Sequence, residues 1–190
     1  MITLDLFVVL LGGVTALLPI FARDILAAGP IGLGLLRSAP AAGALITAVL
    51  LSRVPVERHI GPKMFAVVAV YGVTTMVFAL STSLPLSLLA LALLGASDAL
   101  SIVIRFSLVQ IETPDAMRGR VSAINYLFVG SSNTLGEFRA GVNADWFGAV
   151  ASALIGGVGS LLIAGAWMLL FPDLRRIDRF EPADSDKARA

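Results

Sequence analysis

Asp98 and Arg105 stand seven residues apart inside an otherwise apolar run that begins at Leu84. At 3.6 residues per turn this spacing puts both on one helical face, two turns apart, with Ser97 and Ser101 on or near it. An acid and a base so placed allow two kinds of chemistry. They form an internal ion pair or separate hydrogen bonds that lock the helix to a neighbour, or they respond to a proton or substrate in a polar pathway. A second apolar run carries Asn125, Asn133 and Glu137. Asn133 and Glu137 are four apart and share a face, and Asn125 lies two turns before Asn133. This set either hydrogen-bonds an adjacent helix or lines a central cavity with Glu137 and Arg139 near its outer mouth.

The polar loop 111–120 joins the two runs. Thr113 fits a helix N-cap, Pro114 the first helical position and Asp115 the first turn. Arg118 and Arg120 then meet the inner membrane surface, where they set topology and contact lipid headgroups. The alternative is a cytoplasmic gate of ion pairs with Glu57, Glu112 or Asp115 as the acids, flanked by Arg58.

None of these constellations belongs to an enzyme. The chain has no cysteine and a single histidine, His59, so thiol catalysis, disulfides, thiolate metal sites and multi-histidine metal sites are excluded. A membrane hydrolase needs a nucleophile with a base in reach, and no intramembrane histidine exists to serve. His59 reads as a solvated loop residue. No catalytic residue, metal or cofactor is expected.

The elements that must position these side chains are membrane helices. Of 190 residues 57% are hydrophobic and 14% charged, with a mean hydropathy of +0.91. Soluble domains carry about a quarter charged residues, so this balance points to an integral membrane protein in a lipid bilayer. A net charge of +1, with no basic helical face interleaved with aromatics, gives no case for nucleic acid. Crossing a hydrocarbon core takes roughly 20 helical residues. Six runs qualify: 4–21, 32–51, 64–81, the two already described, and 147–171. Pro19 is expected to bend or end the first, and Arg23 and Asp24 to mark the surface beyond it. In the second, Gly34, Ser38, Ala39, Ala42 and Gly43 recur at three- and four-residue intervals that let a neighbour approach, as do Gly156, Gly157, Gly159 and Gly165 in the sixth. Arg37 lies a turn inside the membrane end, where it snorkels to the interface or touches substrate. The segment from Arg139 to Asp145 reads as the outer connection before the sixth run.

The expectation is therefore an all-α membrane protein with one domain over 1–172 and a charged, disordered tail over 173–190. Six spans put both termini on one side. Arg53, Arg58, Lys63, Arg118, Arg120, Arg175, Arg176, Arg179, Lys187 and Arg189 collect on one face, against Arg23, Arg37 and Arg139 on the other. The positive-inside rule assigns the richer face and both termini to the cytoplasm, in a multi-pass cell-membrane protein.

Several stretches carry a resemblance. They are Thr-Pro-Asp-Ala-Met-Arg-Gly-Arg-Val at 113–121, Asn-Thr-Leu-Gly-Glu-Phe-Arg-Ala-Gly at 133–141, and the opening Leu-Asp-Leu-Phe at 4–7 with Ala-Leu-Leu-Pro at 16–19. With them the chain resembles the C-terminal six-helix half of a major facilitator superfamily transporter, in the bacterial efflux branch that includes the enterobactin exporter. Glu57-Arg58 with Gly61-Pro62-Lys63 resembles a degenerate copy of the family's gating loop. It departs from that motif in lacking an initial glycine and in a longer acid-to-glycine interval. The resemblance implies two inverted three-helix repeats and a small-molecule carrier, siderophore- or drug-like in substrate, working by alternating access between two halves. It also implies that the N-terminal half is missing, so that Met1 marks a fragment boundary and the partner is that half or a second copy. The competing expectation is a free-standing six-helix interaction or assembly subunit, homodimeric in one form.

Overall fold

The computed structural model describes residues 10–53, 60–113 and 117–170, and over them the chain is helical. Leu10 and Leu11 are helical, Gly12 and Gly13 are not. A short composite element, α1, follows: a 3-10 turn at Val14–Leu17, an α-turn at Leu18–Ile20 with Pro19 in it, and a π-turn at Phe21–Ile25. Helical structure is thus interrupted at Gly12 and Gly13, six residues before the expected bend at Pro19. Gly13 has φ 73, a left-handed conformation that glycine adopts without steric cost.

Five long helices follow among the described residues: α2, Gly29–Arg53; α3, Ile60–Leu80; α4, Leu84–Glu112; α5, Arg118–Phe147; and α6, Ala149–Leu170. Ser83 caps α4 by accepting from the Leu86 amide at 3.4 Å, and Pro85 occupies the first turn, where its missing N–H costs nothing. Among the described residues four helices are long and apolar enough to cross a membrane: α2 and α6 over their whole length, and α3 and α4 over most of theirs. α5, at 30 residues, is long enough but does not meet that apolar standard. An all-helical membrane protein is what these observations support.

Small residues set the packing. Gly43 of α2 lies against the Ala92 backbone of α4, and Gly95 of α4 against the backbone of Pro40, so that any side chain at either glycine would meet main chain. Pro40 sits inside α2 and supplies no N–H there. The buried seam of α2 is Gly32, Leu36, Ala39 and Gly43. Of the expected small-residue stripe Ala39 and Gly43 belong to it, whereas Ser38 and Ala42 are exposed and Gly34 faces open space. On α6, Gly157 meets Gly72 and Met76 of α3, and Gly156 and Gly159 meet Leu11. Gly165 meets nothing, contrary to expectation. Phe21 and Phe78 stack at 4.5 Å between ring centres in the main core.

Two boundaries are corrected. The segment from Arg139 to Asp145 is helical, because α5 runs on to Phe147 and breaks only at Gly148 with φ 86. Polar side chains end the apolar run there but leave the backbone free to stay helical. Thr113 closes α4 rather than capping α5, whose first residue is Arg118 after Met117.

Candidate functional site

The polar side chains fall into an interior set and an open face. In the interior, Arg105 of α4 is 2% exposed and Asn125 of α5 is 6% exposed. The Nδ2 of Asn125 has no hydrogen-bond partner among the described residues. Ser101 donates to the Met64 sulfur of α3 at 3.7 Å, and the hydroxyls of Thr74 and Thr75 close onto the Tyr71 carbonyl at 3.0 and 2.8 Å. Asp98 is half-buried and, among the described residues, makes no hydrogen bond or ion pair. Of the alternatives open to Asp98 and Arg105, the direct ion pair between them is not formed. Seven residues separate the two by about 10 Å along the axis, beyond the reach of a short aspartate side chain. Asp98 does lie close enough to Tyr71 of α3 for its charge to act on the phenol. Tyr71 was not foreseen, since a lone tyrosine in an apolar run gives no spacing signal.

On the open face of α5, Asn133 and Glu137 are exposed; on α2, Arg37 is exposed as well. Asn125 does not share this face: it follows the buried row Asn125, Ser132, Gly136 and Ala140, one helical position away from Asn133. Glu137 accepts from the Thr15 hydroxyl at 3.1 Å, tying α5 to the start of α1. One residue pair further on, Arg139 turns inward. Its Nε donates to the Leu10 carbonyl at 3.1 Å and its Nη2 to the Gly12 carbonyl at 3.2 Å and also to that of Leu11. The guanidinium therefore caps the helix that ends before the double glycine. Such carbonyls have no intrahelical partner and carry the negative end of the helix dipole.

At the other end, Arg118 donates to the Thr113 carbonyl at 3.3 Å and Arg120 is exposed. Glu57, Arg58 and Asp115 lie outside the described residues, as does His59. The neighbours Arg23 and Asp24 form an exposed ion pair at 2.8 Å. Among the described residues no group of three acids or histidines could hold a metal. An apolar groove of about 450 Å³ between α2, α3 and α4, lined by Thr47, Leu50, Lys63, Val67, Leu93 and Leu100, lies apart from the open face of α5.

The sequence profile of the transmembrane secretion effector family matches residues 1–189. The chain belongs to that family. The relatives it matches place this family within the major facilitator superfamily. An enterobactin exporter of Citrobacter koseri is 29% identical over 152 residues, covering 79% of this chain and 36% of the relative. An uncharacterised MFS-type transporter of Bacillus subtilis is 27% identical over 164 residues, 86% of this chain and 38% of the relative. An enterobactin exporter of Escherichia coli is 30% identical over 97 residues, 51% of this chain and 23% of the relative. The chain thus spans about a third of the length of these curated relatives. No solved structure matches. Membership of a transmembrane secretion effector family agrees with four apolar spanning helices: this is an integral membrane protein.

Proposed function

We propose that this chain is the C-terminal half of a secondary carrier that exports a small, siderophore- or drug-like molecule by alternating access. In this reading α1 to α6 are six spans arranged as two three-helix repeats, both termini are cytoplasmic, and the opposite wall of the chamber is a second six-helix half. The observation that carries it is α5. This helix is 30 residues long yet presents Asn133, Thr134 and Glu137 outward. An ionisable group at membrane depth costs several kcal/mol, about 2.5–3.5 on insertion scales, unless it faces protein or water. The outward polar side of α5 therefore fits a water-filled chamber and not a lipid boundary. Asp98, Arg105 and Asn125 supply the interior polar groups behind it, and Arg37 a cation on α2. Glu57, Arg58, Asp115, Arg118 and Arg120 form the cytoplasmic gate in this proposal.

Accessibility tests the chamber directly, because the chain has no native cysteine. Single cysteines at Asn133 and Glu137 are expected to react with a membrane-impermeant maleimide, while one at Leu135, half a turn around α5, stays protected by lipid. Equal protection at all three positions would refute the chamber, and equal labelling would refute the span.

A further inference from the structure

Helical structure at Leu10 and Leu11 stops before Gly12 in a half-buried position, and the carbonyl oxygens of Leu10, Leu11 and Gly12 converge on one side chain 127 to 129 residues away. A half-buried helix end needs donors, since packing around it limits the water that could reach its carbonyls and each one left bare is costly. The break itself is held from two further sides. Gly13 lies against the Gly136 backbone of α5, and Gly156 of α6 against the Leu11 carbonyl, so neither position has room for a side chain. Immediately beyond the break, Thr15 reaches Glu137 on the open face.

We propose that Arg139 is a positioning residue, which by capping Leu10, Leu11 and Gly12 keeps the first helix interrupted and so presents Thr15 to Glu137 on the open face. Arginine suits this task because its planar group offers five donors in a fixed fork, and its charge complements the negative helix end. Without it the orphaned carbonyls have two ways to regain partners. The helix can propagate through Gly12 and Gly13, or the break can open to water. Either movement displaces Thr15 relative to α5. The proposal rests on the carrier reading only in taking the open face as the transport face, and the geometry of the break is testable without any transport.

The reporter is Ala16→Cys, an exposed position beside Thr15 in a chain with no other cysteine. Its rate of modification by a membrane-impermeant maleimide is measured in vesicles containing the full chain. Arg139→Gln is expected to raise that rate about fivefold, as local opening of a capped end does. Arg139→Lys, which keeps the charge and fewer donors, gives a smaller rise. Gly156→Ala gives a rise comparable to that of Arg139→Gln without altering the arginine, because its methyl meets the Leu11 carbonyl. A second reporter, Leu127→Cys on the exposed side of α5, keeps its rate throughout. Unchanged labelling at position 16 in both Arg139→Gln and Gly156→Ala overturns the proposal, and so does an equal rise at position 127, which would mean general loosening. Should Arg139→Gln fail to reach the membrane, Gly156→Ala and Arg139→Lys decide the matter. A labelling shift in a protein whose Asn133 and Glu137 prove inaccessible would uphold the cap and reject the carrier.

Discussion

Replacing Asp98 by asparagine in a complete carrier is expected to lower transport at least roughly tenfold at both pH 6 and pH 8, with the protein still inserted at its normal level. The two roles open to this carboxyl make opposite forecasts. A structural aspartate would show its bonds, and among the described residues Asp98 makes none. A half-buried carboxyl without partners burdens the fold, so the neutral, nearly isosteric amide relieves that cost and leaves stability equal or higher. In the proposed carrier the carboxyl supplies what asparagine lacks, a group able to gain and lose a proton or to carry charge beside Tyr71. Lower transport with unimpaired stability therefore identifies a functional group. Unchanged transport at both pH values would refute the assignment. Tyr71→Phe, which removes the neighbouring hydroxyl and preserves its packing, is the companion measurement.

The sequence made the helices and their class legible because length and apolarity alone decide what can cross a bilayer. It was much less informative about which side of each helix faces protein. A soluble helix displays an apolar stripe against a polar one, but in lipid both sides are apolar, and the contrast that fixes rotation disappears. α2 illustrates this: the stripe through Gly34, Ser38 and Ala42 and the stripe through Gly32, Leu36 and Ala39 are adjacent, and only packing selects the second. The same ambiguity grouped Asn125 with Asn133 at two turns' distance, although eight positions leave a rotation that separates buried from exposed.

The candidate site was legible where a side chain contradicts its surroundings. Asp98, Arg105 and Glu137 stand out in apolar runs whatever the fold. The cap by Arg139 was not legible, since its partners are backbone atoms more than a hundred residues distant. A signal did exist in retrospect: two adjacent glycines at 12 and 13 interrupt an apolar run, and a helix broken there must find donors for its last carbonyls. Polarity misplaced the end of α5 for a related reason. Arg139 to Asp145 read as a connection because they are hydrophilic, whereas the chain turns where Gly148 allows a positive φ.

The largest effect on stability is expected at the crossing of α2 and α4. Gly95→Ala puts a methyl onto the backbone of Pro40, and Gly43→Ala onto the Ala92 carbonyl. In both cases the obstacle is main chain, which cannot rotate away as a side-chain tip can. The two helices must separate or slide, and every other contact along them is loosened. Overpacking of this sort costs about 1–3 kcal/mol, and in a helix interior alanine recovers only about 0.5–1 kcal/mol of backbone entropy over glycine. The clash wins, and both variants melt earlier in detergent. Gly34→Ala on α2 and Gly141→Ala on α5 reverse the balance, because a methyl there meets nothing and the propensity gain stands alone. These two are expected to melt at the same temperature or slightly later. The ordering matters more than any single value: if Gly95→Ala proved as stable as Gly34→Ala, α2 and α4 would not cross at the glycines, and Asp98, one turn beyond Gly95, would face a different neighbour.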